Sequence, residues 1–462
     1  MKVIIINSPL FRYRNDLYDE DSLPPLGLGY IGTNLRNHGI DVQLIDAVHE
    51  RIPLKELIES LETAAPEFVA TNVFTTNKEL VKELIESLNF QTHIIIGGLS
   101  TKNLYREILT WNSPNPIDIV TGDGELITLD IVKERVDEIP FLTEGNRRVF
   151  QINDKSKYLI TDISDVPLDR SFFLNEPVEH ALGFTEANIV ASRGCIYNCA
   201  FCAAARSLNK DTQPRERTAE SVITELNKIK SELPLVNSVR VLDDLFLKHT
   251  KSIEKAVEIF SKFEFQWRSM AHVMTFNQAD DELMIALKNS GCHELFIGIE
   301  SGSPAILRSI EKTHNIDTII KNFSKVFRAG INMKGYFIYG FPNETVEDME
   351  MTFDLAKRLK AISVENKVNF RTSVFQYRPY HGTQIFHSLE SQGVDLKVHP
   401  IEPNPELSEL VGRLQFNFHN GNYSTVDNQT LNSYIYRTTN LNGGNIFADL
   451  APNIESVQKQ NV

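Results

Sequence analysis

Apolar residues gather along this chain in short runs, and between the runs they return every third or fourth position, which predicts strands alternating with amphipathic helices. In residues 1–145 the strands read as Lys2–Asn7, Asp41–Asp46, Phe68–Thr71, His93–Ile96 and Ile117–Val120, with helices such as Gly29–His38, Leu54–Thr63 and Lys78–Ser87 between them. That alternation predicts an α/β fold with a doubly wound parallel sheet. The pattern restarts in residues 185–385, with strands at Ala187–Ala191, Ser238–Leu242, Glu264–Met270, Glu294–Ile299, Met333–Tyr339 and Asn369–Gln376. Six such units suit a partial (β/α)6 TIM-like barrel, whose site belongs at the carboxyl ends of its strands. Residues 146–184, with Pro167, read as a linker. Residues 386–462 have weaker periodicity and predict a small, mostly helical segment that caps the barrel mouth, including Pro405–Phe418, with a poorly ordered tail after about residue 450.

Length and charge narrow the class. A chain of 462 residues suits two or three domains. The net charge of −14 is spread along the sequence and counts against general nucleic-acid affinity. MKVIIINSPLF is too short an apolar run for a signal segment, and no run approaches the roughly 18 residues of a membrane span. Four cysteines, three of them clustered, argue for a reducing compartment, with cytoplasm as the expectation.

Candidate chemistry starts with those three, Cys195, Cys199 and Cys202 in SRGCIYNCAFC. Their spacing suits one compact loop around one inorganic centre. Three thiolates on a four-iron cubane leave one iron open to a small molecule. A zinc knuckle would want a fourth ligand at finger-like spacing, and the nearest histidines, His180 and His249, lie far off; inert buried thiols are the other alternative. Cys292 precedes the fourth barrel strand and reads as a small buried residue. In the first sheet, the turns after the strands deserve scrutiny, because ligands of open α/β sheets sit there. Gly97-Gly98 and Gly122-Asp123-Gly124-Glu125 would let a flat ligand or a phosphate approach the backbone, or they simply end their strands.

The cysteine motif, with Phe201 before the third cysteine and Ser192-Arg193-Gly194 ahead of the first, resembles the signature of the radical SAM superfamily. The resemblance implies a 4Fe-4S cluster whose open iron binds S-adenosylmethionine (SAM), reductive cleavage to a 5′-deoxyadenosyl radical, and hydrogen abstraction from a small-molecule substrate. It also implies a flavodoxin- or ferredoxin-type electron donor. Carried onto this sequence, it places Asp243 or Asp244 at the methionine amino group, Glu300 and Ser301 of FIGIESGSPAIL at the ribose, and Gly340 of YGFPNET near the adenine. Phe201 either contacts the adenine or packs beneath the loop, Arg268 reaches the SAM carboxylate or the substrate unless it lies in an ion pair, and Tyr380 faces the substrate. Pro24–Gly39, Ile94–Gly98 and Thr121–Glu125 are similar, in order, to the cobalamin-binding domain fused to one branch of that superfamily, so Gly97, Gly98, Gly122, Gly124 and Glu125 become cobalamin candidates. The mutases' Asp-x-His-x-x-Gly motif is absent: Asp46 is followed by His49 at the wrong spacing, without the glycine. The expectation is a radical SAM enzyme, with cobalamin-dependent methylation of an unreactive carbon as one outcome. A cobalamin-independent dehydratase, lyase, rearrangement or ring-forming enzyme is the alternative, and a metal-stabilised binding module without catalysis the alternative of another class. Oligomeric state and substrate identity stay open.

Overall fold

The computed structural model describes residues 1–8, 23–180, 183–210, 212–396, 399–400, 418–419 and 421–442. In the N-terminal domain, β1 (Lys2–Asn7), α1 (Leu26–Asn37), β2 (Asp41–Asp46), α2 (Leu54–Ala64), β3 (Phe68–Asn72), α3 (Lys78–Ser87), β4 (His93–Gly97), α4 (Thr101–Ile108), β5 (Ile117–Thr121) and α5 (Glu125–Val132) alternate as the apolar pattern predicts. The hairpin of β6 (Leu142–Glu144) and β7 (Arg147–Gln151) completes a sheet of order β2-β1-β3-β4-β5-β7-β6. Every neighbouring pair is parallel except β6 with β7. All residues of β3 and β5 are buried, as strands of a parallel sheet covered on both faces require.

The stretch expected as a linker therefore does structural work in both domains: β7 pairs with β5, and β8 (Val178–His180) pairs with the first barrel strand, β9 (Phe184–Ile189). After β9 comes a two-stranded ribbon of β10 (Ser192–Arg193) and β11 (Arg215–Glu216), with the cysteines in the loop between them. The barrel continues through α6 (Ala219–Glu232), β12 (Ser238–Val241), α7 (Thr250–Phe260), β13 (Gln266–Ala271), α8 (Asp281–Asn289), β14 (Cys292–Glu300), α9 (Pro304–Ser309), α10 (Ile316–Arg328), β15 (Asn332–Tyr339), α11 (Val346–Glu365) and β16 (Phe370–Gln376). Its sheet has the order β16-β15-β14-β13-β12-β9-β8, with six parallel strands and β8 antiparallel at the edge. Side chains pointing outward, such as Val239, Trp267, Leu295 and Phe337, pack with Phe323 and Phe327 of α10 into one large core.

After α12 (Gln384–Ser391), the described C-terminal helix is α13 (Asn428–Thr439), which packs on β16 and α11. Thr372 of β16 donates to the Thr438 carbonyl at 2.8 Å, and Leu431, Tyr434 and Ile435 join the outer core. That apolar stripe seats the helix in the outer layer after the last strand. Residues 405–417 and those after 442 lie outside the described residues, and Phe418 sits in a two-residue strand paired with Pro400.

Candidate functional site

The cysteine loop leaves the carboxyl end of the first barrel strand under tight backbone control. Asp243 is buried and accepts from the Ala191 N–H at 2.7 Å and the Ser192 hydroxyl at 2.6 Å, while Asp244 accepts from the Gly194 N–H at 2.9 Å. Gly194 adopts φ 87°, a left-handed turn that suits glycine just ahead of Cys195. Within the loop the Cys202 N–H donates to the Cys199 carbonyl, and Ala200 is pinned on both sides by Ile310 and Ile385. Burial pushes all three thiols up, Cys202 to about 12; the Cys195 sulfur raises Cys199 further, and both raise Cys202. Such thiols lose their protons only to a strongly positive centre. Among the described residues no three His, Cys, Asp or Glu side chains converge as a single metal ion needs. A cubane takes one thiolate per iron and accepts the wider spread, so this donor set fits a 4Fe-4S cluster better than a zinc knuckle.

Around the loop, Glu300 ends β14 with φ 64° and pairs with Lys312 at 2.5 Å, both buried. Gly298 makes room for that pair, since a Cβ there would fall 2.1 Å from the Glu300 Oε1. Burial alone would lower the Lys312 pKa, but Glu300 and the Cys199 and Cys202 sulfurs keep it raised. Tyr197 stacks on His272 at 3.8 Å between ring centroids; the His272 ring is pushed down to about 3 by burial and by Lys312, so it is neutral. Tyr380 is half-buried, close enough to Arg378 and Cys202 to feel their charges. Lys312 and His272 escaped the sequence reading, because no motif marks a lysine after α9 or a histidine after β13 as a neighbour of the cysteines.

Several expected site residues are engaged elsewhere. Arg268 lies in the lower half of the barrel lumen, where its guanidinium grips Glu186 at 2.6 Å with both Nε and Nη2 and lies 3.7 Å from Glu294, itself paired with Arg371. It is the third of the six residues of β13 rather than its last, so it sits below the strand ends and forms a buried ion pair. Ser301 is buried, its hydroxyl facing Thr352 at 3.0 Å and accepting from the Ser303 N–H. Phe201 packs beneath the loop, edge-on to Phe341 at 5.8 Å. Gly340 keeps its turn, φ 90°, and donates its N–H to the buried Glu344.

A cavity of about 580 Å³ opens between the two domains. Its walls come from the carboxyl ends of the first sheet, with Gly97, Gly98 and Gly122–Glu125, and from the barrel's Ser192, Arg193 and Asp244. This is the crevice where open α/β sheets place their ligands. At Gly27 and Gly97, both on its wall, an added Cβ would meet nothing within 4 Å, so the backbone there is bare to the cavity. Val48 stands where the mutase motif has histidine, and it lines the cavity while His49 does not. Arg51, at the position of the motif's glycine, keeps a left-handed φ of 56°. Glu125 lines the cavity, but its carboxylate is held by Arg193 at 2.6 Å.

The Radical SAM superfamily profile matches residues 189–356, and the B12 binding domain profile matches residues 20–132. The chain carries a radical SAM domain and a B12-binding domain. An uncharacterised methyltransferase of Pyrococcus horikoshii is 28% identical over 348 residues, 73% of each chain. Cytidylyl-2-hydroxyethylphosphonate methyltransferase of Streptomyces wedmorensis is 21% identical over 85% of this chain and 82% of its own. Among solved structures, the radical SAM methyltransferase TsrM of Kitasatospora setae, with cobalamin and a 4Fe-4S cluster bound, superposes with a TM-score of 0.64 at 15% identity, covering 95% of this chain and 90% of its own. The cobalamin-dependent SAM radical enzyme OxsB gives a TM-score of 0.63 at 15% identity, covering 94% of this chain and 65% of its own. At that identity the solved structures speak for the two-domain fold alone. As a radical SAM enzyme, the protein uses a 4Fe-4S cluster and SAM, and the cavity residues fit cobalamin in its B12-binding domain. Among the described residues no helix is long and apolar enough to cross a membrane.

Proposed function

We propose that this enzyme is a cobalamin-dependent methyltransferase that acts on an unreactive carbon of a small molecule and draws electrons from a flavodoxin- or ferredoxin-type donor. The observation that carries this reading is the single cavity whose walls include both the glycine turns of the B12-binding domain and Asp244 and Arg193 beside the cluster loop. Two relatives named as methyltransferases support it. When bound, the cluster supplies the electron that cleaves SAM and cobalamin supplies the transferred methyl group.

The chain's own residues hold these partners. Cys195, Cys199 and Cys202 ligate the cluster. Asp244, whose side chain opens on the cavity, is the better placed of the two aspartates to receive the methionine amino group, since Asp243 spends both oxygens on the loop. Glu300 accepts from the ribose, held in place by Lys312. Tyr380 walls the substrate side, and the barrel with its buried rim keeps water from the radical. On the other side, bare backbone at Gly97 would help hold cobalamin, and Val48, in place of the mutases' histidine, would offer it no imidazole.

Reconstitution of the cluster-loaded protein with hydroxocobalamin, followed by gel filtration and absorbance, tests the reading. The corrinoid should co-elute with wild type and with His49→Ala alike. Val48→His should add nitrogen hyperfine structure to the cob(II)alamin electron paramagnetic resonance (EPR) spectrum. A wild-type protein that elutes free of corrinoid contradicts the methyltransferase reading and leaves a non-methylating radical SAM enzyme.

A further inference from the structure

Two arginines from the cluster-bearing ribbon meet two carboxylates from one cavity turn of the N-terminal domain. Arg193 reaches Glu125 at 2.6 Å and Asp123 at 3.4 Å. Arg215, its cross-strand partner in the ribbon, binds the same Asp123 and also donates to the Ile160 carbonyl at 2.5 Å. The Arg193 guanidinium lies 5.4 Å from the centroid of the Tyr30 ring, a cation–π contact to another cavity wall. Tyr30, Asp123, Glu125 and Arg193 all line the cavity, so the clamp is part of its surface.

The same arginine is two residues from Cys195, and consecutive Cα atoms lie about 3.8 Å apart, so the chain ties the two positions closely. The intervening Gly194 offers little slack, because Asp244 fixes its N–H. A planar guanidinium that contacts two carboxylates has few alternative arrangements, and a lysine cannot reproduce that fork. We infer that Arg193 is a positioning residue through which the turn Gly122–Glu125 sets the geometry of the cluster loop, so that occupation of the cavity and the state of the cluster are coupled. The identity of the cavity ligand rests on the cobalamin reading; the mechanical tie between turn and loop does not.

The test uses full-length, cluster-reconstituted protein as wild type, Arg193→Lys and the isosteric Glu125→Gln, which lies in the other domain. EPR spectra of the reduced cluster are recorded with SAM, before and after hydroxocobalamin, and cobalamin affinity is measured with and without SAM. The spectrum of Glu125→Gln should differ from wild type before any corrinoid is added. In wild type, SAM should shift the cobalamin dissociation constant at least fivefold, within the usual span of coupling between sites. Both variants should load full iron and cut that shift below about twofold. Identical cluster spectra in wild type and Glu125→Gln, or an undiminished shift in both variants, overturns the inference. If wild type binds no cobalamin while the Glu125→Gln spectrum still changes, the cobalamin reading fails and the positioning role stands.

Discussion

Glu300 and Lys312 lie twelve positions apart in sequence yet form a buried ion pair beside Cys199. A carboxylate already ordered by a cation can bind ribose hydroxyls without first being immobilised. Loss of one charge-assisted hydrogen bond typically costs about 1.5–3 kcal/mol, so Glu300→Ala should weaken SAM binding roughly ten- to hundredfold by calorimetry; unchanged affinity would remove Glu300 from the site. Changing Cys195, Cys199 and Cys202 together to alanine should abolish iron loading and SAM cleavage, and a retained full cluster would refute the ligand assignment. Glu344, fully buried, accepts from the Gly340 and Phe341 N–H groups, and burial pushes its carboxyl up to about 8. A folded-state pKa above the ordinary 4.5 means the folded protein keeps a proton that the unfolded chain has already released. Stability due to this group therefore falls as pH rises from about 4.5 to about 8, and is lowest above that window. Glu344→Gln should remove the decline, leaving stability near pH 5 similar and raising it near pH 8 by a few kcal/mol in thermal unfolding. Parallel pH profiles for wild type and variant would contradict this.

At the scale of elements, the turns of the first sheet separate fold from ligand. Gly98 has φ 107°, and a Cβ there would lie 2.7 Å from both the N and O atoms of Val73. Gly98→Ala should therefore cost about 1–3 kcal/mol in urea unfolding. Its neighbour Gly97 faces open space. Gly97→Val should leave stability within about 1 kcal/mol while weakening corrinoid binding at least tenfold and sparing SAM binding. Equal binding losses at both glycines would mean that Gly97 acts through the fold. The elements themselves were legible wherever apolar runs were long: Ile4–Ile6 and Ile94–Ile96 read as strands and are buried strands. The β6–β7 hairpin was not, because its turn Gly145-Asn146 joins strands that carry Glu144, Arg147 and Arg148 and lack a continuous apolar run. Arg268 was misplaced because the sequence locates a strand but not the register that sets a side chain's height in the lumen.

For the whole molecule, the cluster loop was legible in local spacing, since three cysteines within one loop need no tertiary information. What joins the domains was not. Arg193 and Glu125 stand 68 positions apart, and His381 meets Thr75 at 3.0 Å across 306 positions. Contacts of that range leave no local periodicity, so a site built between two domains becomes visible only when both sheets present their carboxyl ends to one cavity. The central claim is that one chain holds both an iron–sulfur cluster and a corrinoid at that junction. The most direct check is the metal and corrinoid content, with the absorption spectrum, of protein produced anaerobically in a host supplied with hydroxocobalamin. About four irons per chain with one equivalent of corrinoid is the predicted result, and zinc in place of iron, or iron without corrinoid, would contradict it.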